Sequence, residues 1–346
     1  MPKPSGASIT VTSTTRRGAA GAQDPINGQP QDGQDPLAEL SLLCHWDSLP
    51  EWRRDNHFIH SGYVRETNSL KRSLHSLTYL HNETVNIYTH LIPSSSVILG
   101  LSALPIILGL GLFFEDEITT AETAANNVLH KYIQFYPSTD VTDAISAGIF
   151  LLGVATCMGL SAIYHTLTSH SHAVASFGNQ LDYLGIVVLI VASMVTLTHY
   201  SFIDQSILFR SAFWSITGVL GTICAVVSVK PSFRTPEWRP FRASMFVAFG
   251  FSGVVPLLAS CYLFGTDSTW SRLSQGWLLT EAVLYISGAI LYALRIPECF
   301  APGKYDYFGH SHQIFHVLVV LAAICHGKAL YESYKYGHAV LLAEAL

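Results

Sequence analysis

From residue 86 onward the chain is a succession of long apolar stretches with short polar connections, each at or near the roughly 20 residues a helix needs to cross a bilayer. The stretches run over 86–114, 142–167, 181–200, 207–229, 241–264, 275–295 and 312–333. Seven of them in succession leave no polar face for water, so the pattern predicts an all-α fold, a seven-transmembrane helix bundle spanning 86–334. Ahead of the bundle, residues 1–36 are rich in Gly, Ser, Thr, Gln, Pro and Asp and carry almost no large apolar side chains. Such a segment cannot bury enough surface to order itself, and a disordered tail is expected there. Residues 37–85 mix Leu42, Trp46, Trp52, Phe58 and Tyr63 with charges. That mixture suits short amphipathic helices lying close to a membrane, and a small soluble cap suits it equally. Residues 335–346 are expected to form a short external tail.

Composition agrees with the pattern. Hydrophobic residues make up 49% and charged residues 12%, with mean hydropathy +0.34, whereas a soluble domain carries about twice that charge. The formal net charge of −5 is not built on any extended basic face, so no nucleic-acid partner is expected. Six cysteines are widely separated, with no C-x-x-C pair, which suggests neither a disulfide scaffold nor a thiolate zinc site. The first 20 residues lack the apolar stretch of a secretory signal.

Positive charge orients the spans, since cytoplasmic loops retain an excess of Lys and Arg. Arg53, Arg54, Arg65, Lys71 and Arg72 precede the first span, and Lys230, Arg234, Arg239, Arg242, Arg295 and Lys304 fall in the alternate loops on that side. Opposite them stand Lys131, Arg210, Arg272, Lys328 and Lys335, with an acidic first loop carrying Glu115, Asp116, Glu117 and Glu122. The expectation is a cytoplasmic N-terminus and an external C-terminus, the reverse of a G-protein-coupled receptor. The sequon Asn82-Glu83-Thr84 then lies inside and is discounted.

Polar groups within spans are costly and mark function. Span two ends in Ser161-Ala-Ile-Tyr-His165, span three opens with Leu181-Asp182-Tyr183, and span seven opens with His312-Gln-Ile-Phe-His316. Span one opens with Glu83-Thr-Val-Asn86-Ile-Tyr-Thr-His90. Span two travels outside to inside while spans three and seven travel inside to outside, so all these groups fall in the cytoplasmic leaflet. Two histidines at i and i+4 chelate one ion from one helix face, and His165 adds a third nitrogen from another helix. Three neutral imidazoles without a thiolate suit Zn²⁺ better than Ca²⁺ or Mg²⁺. A three-ligand zinc keeps a fourth position for water, whose pKa falls to about 7. Asp182 is placed to orient or deprotonate that water, and Ser161 to hydrogen-bond it.

Bland roles compete with each of these assignments. A lone membrane histidine is more often an interhelical hydrogen-bonding group than a ligand, a role that covers His90 and His310. The i, i+4 pair alone is as compatible with structure as with chelation. Asp182 suits a helix cap, and Ser161 suits close helix packing. His170 and His172, in a short loop, are assigned nothing.

Taken in order, these motifs resemble the progestin and adipoQ receptor family of adiponectin-receptor and haemolysin-III-like proteins. The match runs from Leu49-Pro-Glu-Trp-Arg-Arg-Asp-Asn through the Glu83, Ser161, Asp182 and His312 motifs, with Arg295-Ile-Pro-Glu298 and Pro302-Gly-Lys between. It covers nearly all of the chain after the tail, and the long polar tail is more like fungal members than animal ones. The resemblance implies an intracellular N-terminus and a zinc held at His165, His312 and His316, with Asp182 and Ser161 belonging to the motif around a zinc-bound water. It further implies zinc-dependent hydrolysis of ceramide-like lipid amides, coupled to lipid and zinc homeostasis, in the plasma membrane or endoplasmic reticulum. Its implied partners are membrane lipids, as substrate or fatty-acid product, and an extracellular protein ligand. The alternative is a receptor whose zinc is only a structural clamp. No H-E-x-x-H helix, G-x-S-x-G elbow or Gly-rich phosphate loop supports a rival chemistry.

Overall fold

The computed structural model describes residues 42–113, 136–233 and 235–346. The tail over 1–36 and the acidic loop around Glu115 to Glu122 lie outside the described residues.

The segment ahead of the bundle pairs two short antiparallel strands, β1 (Leu43–Cys44) and β2 (Tyr63–Val64). Cys44, Leu49, Ile59 and Tyr63 give it a small core of its own. It continues into α1 (Leu70–His75), whose Ser69 cap accepts a hydrogen bond from the Arg72 amide. Leu70 and Leu74, one turn apart on α1, are exposed, as on a helix that lies against a bilayer surface. The short helix matches expectation. The strands do not, because two residues are too few to display a period of two.

The bundle follows as α2 (Thr84–Phe113), α3 (Val141–Leu167), α4 (His172–Ser201) and α5 (Ile207–Val229). It is completed by α6 (Arg239–Phe251), α7 (Val254–Arg272), α8 (Gln275–Leu294) and α9 (Ser311–Ala345). Among the described residues, six stretches are long and apolar enough to cross a membrane, α6 and α7 counting as one, and the 30-residue α2 is a further long apolar helix. Large apolar side chains such as Leu152, Val219, Val283 and Ile324 are exposed on the outer faces, where lipid replaces water.

Three boundaries differ from expectation. The third span starts at His172 rather than 181, since Ser171 breaks the chain only briefly and the intervening polar residues continue the helix. Both His170 and His172 were expected in a loop, yet His172 is the first residue of α4 and its ring packs 5.4 Å from that of Trp52. The last helix continues to Ala345, so 335–346 extends the final span instead of forming a separate tail. Hydropathy ended that span early because Lys328, Glu332 and Lys335 are charged; they pair with one another along the helix. Finally, the fifth span is broken. Pro256 would clash with the carbonyl of Ser252 in a continuous helix, and the chain breaks at Ser252–Gly253. A second departure occurs at Gly265, whose φ of 78° glycine adopts readily.

The most extensive packing is α3 on α4 and α8 on α9, followed by α2 on α3 and α4 on α5, and α9 also touches α2. Small residues set the α3–α4 distance. A Cβ on Gly153 would stand 2.6 Å from the Ala192 Cβ, and one on Gly185 would stand 3.0 Å from the Cys157 Cα. This close approach holds the end of α3 bearing His165 against the part of α4 bearing Asp182.

Long-range polar bonds fasten the leading segment beneath the bundle. Asn56 Nδ2 donates to Glu298 Oε1 at 3.0 Å, while Asp306 accepts from the His60 amide at 2.9 Å and the Ser61 hydroxyl at 2.6 Å. The Asp55 carboxylate pairs with Arg239 and with Arg295. Glu298, with no exposed surface, also accepts from the Ser311 amide at 2.7 Å and so anchors the N-terminus of α9.

Candidate metal centre

Three histidines meet at one end of the bundle. His165 lies in the last turn of α3, and His312 and His316 lie in the first two turns of α9. Ring centroids are 4.9 Å apart for His165–His312 and His165–His316 and 4.8 Å for His312–His316. One nitrogen from each falls within 4.8 Å of the others, the arrangement of ligands around a single ion. The two α9 histidines are positioned by the anchored start of that helix. Besides the Glu298 bond, Gln313 accepts from the Gly309 amide at 2.6 Å and donates to the carbonyls of Tyr307 and Asn82.

Neighbours select the nitrogen that each imidazole can offer. His165 Nδ1 lies 2.8 Å from Glu83 Oε2 at the start of α2, and Asn86 Nδ2 donates to the same oxygen at 2.6 Å. His316 Nδ1 lies 3.0 Å from the Asn86 carbonyl. A carboxylate and a carbonyl can only accept, so in the neutral rings both Nδ1 atoms carry the proton and both Nε2 atoms keep a lone pair. His165 Nε2 is buried with no hydrogen-bond partner. Such a lone pair, on a ring whose other nitrogen meets a carboxylate and beside two further imidazoles, is free to meet a metal ion.

The donor set therefore fits zinc: three imidazoles, no thiolate and a carboxylate behind one ligand. The sequence quoted Glu83 and Asn86 in a motif but gave them no role. A buried acid at the head of an apolar helix was the available signal. Asp182, on α4, lines the same cavity as the three histidines. Ser161, one turn before His165, is 2% exposed, and its Oγ has no hydrogen-bond partner.

Other expected residues fall outside the cluster. His90 stacks on His316 with centroids 3.8 Å apart and near-parallel planes, packing behind that ring. His310 precedes α9, with Nε2 3.3 Å from the Asn82 carbonyl. Asn82 is only 4% exposed, which agrees with discounting its sequon.

The cluster opens into a cavity of about 950 Å³ that runs through the bundle. At one end its wall includes Asp182, His165 and Arg239, and toward the other Leu197, Leu257 and Leu273. It is polar at the histidine end and largely apolar beyond, a shape that takes a long chain with a polar head.

Comparison with known proteins agrees with this architecture. A family described as "Haemolysin-III related" matches residues 78–327. The chain is 43% identical over 299 residues to the ADIPOR-like receptor IZH2 of Saccharomyces cerevisiae, covering 86% of each protein. It is 36% identical over 296 residues to the adiponectin receptor protein of Drosophila melanogaster, covering 85% of this chain and 60% of that one. Over 297 residues it is 34% identical to heptahelical transmembrane protein 3 of Arabidopsis thaliana, covering 82% of this chain and 85% of that one.

Proposed function

The chain belongs to the haemolysin-III-related family, as an adiponectin-receptor-like multi-pass membrane protein, and from that premise we propose that it is a zinc-dependent hydrolase of ceramide-like lipid amides. The observation that carries this reading is the pairing of an unpartnered, buried His165 Nε2 with a Glu83-bound Nδ1, at the polar end of a cavity sized for a lipid chain.

His165, His312 and His316 hold the metal, with Glu83 and the Asn86 carbonyl fixing two of the rings. Zinc, when bound, supplies a Lewis acid that polarises an amide carbonyl and makes water acidic near neutral pH. The apolar wall holds the acyl chain and excludes bulk water, which strengthens every polar interaction at the head. Asp182 accepts a proton from the attacking water and returns it to the leaving nitrogen as the carbon–nitrogen bond breaks and the new carbon–oxygen bond forms. Ser161 Oγ, otherwise unpartnered, donates to the oxygen on which negative charge develops. The products are a fatty acid and a long-chain amine, and signalling toward lipid and zinc homeostasis follows from their release. Membrane lipids enter sideways from the bilayer, with the site in the cytoplasmic leaflet of the plasma membrane or endoplasmic reticulum.

A second reading keeps the zinc as a clamp and assigns the protein a receptor role, with an extracellular protein as ligand. One observation favours it: the three histidines join α3 to α9, which pack mainly on other helices. Purified protein with measured zinc, incubated with ceramides in detergent, separates the two. Fatty-acid release that disappears in Asp182→Asn supports the hydrolase. No release from any lipid amide by zinc-loaded parent protein leaves the clamp.

A further inference from the structure

Well away from the histidine cluster, the apolar wall of the cavity is interrupted by a carboxylate–imidazole pair. Glu281 on α8 and His326 on α9 both line it, and His326 Nδ1 lies 2.9 Å from Glu281 Oε2. The His326 side chain is 2% exposed, and its Nε2 has no partner. Tyr285, one turn along α8, lines the same stretch. The rest of the neighbourhood is apolar, with Leu278, Ile286, Leu189 and Val319 on the wall and the Phe150 ring 5.0 Å from the imidazole.

These side chains face inward by design of the helix. Leu278, Glu281, Ala282, Tyr285 and Ala289 recur at three- and four-residue spacing on the cavity side of α8, while Val283 and Ile290 on the other side are exposed. A plain hydrocarbon chain has nothing to gain from this interruption. A buried acid beside it is desolvated, and apolar residues of the same volume would be as good or better. Nor does the α8–α9 contact depend on the pair, because these helices already pack along much of their length, with Gly288 admitting Phe315 and Leu318.

We propose that Glu281 and His326 form a second polar station in the cavity, which recognises a hydroxyl carried part-way along the chain of a bound lipid. The proposal rests on the reading that the cavity holds a lipid with its head at the histidines. A carboxylate oxygen has more than one acceptor direction, and His326 occupies only one of them. A chain hydroxyl donating to Glu281 replaces the water that it would lose on entering the bilayer interior. At 1.5 Å per helical residue, His326 lies about 15 Å along α9 from His316, and about 21 Å from His312. A hydroxyl near the middle of an eighteen-carbon chain falls at about that reach, whereas one beside the head does not. The station thus selects the position of the hydroxyl as well as its presence.

The test is direct lipid binding to the purified full chain, with octadecanoate, 12-hydroxyoctadecanoate and 2-hydroxyoctadecanoate as probes. The parent should bind the 12-hydroxy acid on the order of tenfold more tightly than the other two, as one hydrogen bond to a charged acceptor supplies. Glu281→Leu should abolish that preference and leave octadecanoate binding equal or tighter. If Glu281→Leu does not fold, Glu281→Met, which likewise removes both carboxylate oxygens, carries the same expectation. Equal affinity for all three acids in the parent, or a preference unchanged in folded variants, overturns the station and reduces the pair to a helix–helix link. Failure of every acid to bind the parent overturns the lipid-cavity reading itself, and the station with it.

Discussion

Glu83 at the head of the first span lies 2.8 Å from His165 Nδ1 at the foot of the second, so one hydrogen bond both joins α2 to α3 and fixes the orientation of the imidazole proposed to bind zinc. Glu83→Gln keeps the shape but replaces a charged acceptor by a neutral one. Zinc affinity should fall by about 10–100-fold. Competition with a chelator, followed by elemental analysis, measures it, and an unchanged affinity would remove Glu83 from the site.

Removing two ligands together is a stronger perturbation. A His312→Ala/His316→Ala protein should retain no stoichiometric zinc. The parent should lose thermal stability on chelation by about 2.7 kcal/mol where zinc had been present at 100 times its Kd, while the double variant should not respond to chelator. Equal zinc content in the two proteins rules out this ligand set.

Asp182 and Ser161 separate chemistry from metal binding. Asp182→Asn should keep zinc and fold while losing turnover of a ceramide by about 10²–10⁴-fold, the range for one acid–base group. Ser161→Ala should lose less than Asp182→Asn and likewise keep zinc. Turnover at the parental rate in zinc-loaded Asp182→Asn would deny the residue its role.

The α3–α4 contact offers a test of packing alone. A methyl on Gly185 would meet the Cys157 backbone at 3.0 Å, whereas one on Gly148 would meet nothing within 4 Å. Gly185→Ala should destabilise by about 1–3 kcal/mol through overpacking. Gly148→Ala should stabilise by up to about 1 kcal/mol through helix propensity. Thermal unfolding in one detergent compares them, and equal midpoints would mean that α3 and α4 do not need close approach.

Orientation is open to protease protection of tags at the two ends. The fourteen-to-five division of Lys and Arg between the two sides, tail included, predicts a protected N-terminal tag and an accessible C-terminal one in sealed cells. The opposite pattern would place the histidine cluster in the outer leaflet.

Much of this architecture is legible in the sequence because a bilayer imposes a coarse rule, a long apolar run for each crossing. Direction of travel puts His165, His312 and His316 in one leaflet, and the four-residue spacing of the last two puts them on one helix face. Glu83 could not be assigned in that way, since its partner is 82 residues distant and nothing in either local pattern specifies the hydrogen bond. The break at Ser252–Gly253 was concealed by uniform hydropathy, although Pro256 and its missing amide mark it physically. The continuation of α9 past 333 was concealed in the opposite way. Lys328, Glu332 and Lys335 look like a span end until their mutual pairing is seen. Only the fold sets His326 beside Glu281, 45 residues away in the chain.

The bonds from Asn56 to Glu298 and from His60 and Ser61 to Asp306 span more than 240 residues of sequence. A ribosome makes the chain from its N-terminus, so the leading segment and the first two spans emerge long before the partners that fasten them. His165 and Glu83 can meet early, yet His312 and His316 come only with the final helix, whose start is fixed by Glu298 and Gln313. Birth order therefore places completion of the centre at the very end of synthesis. A nascent chain stalled before Ser311 would carry one histidine of the three, and zinc could mark which newly made molecules have threaded their last helix.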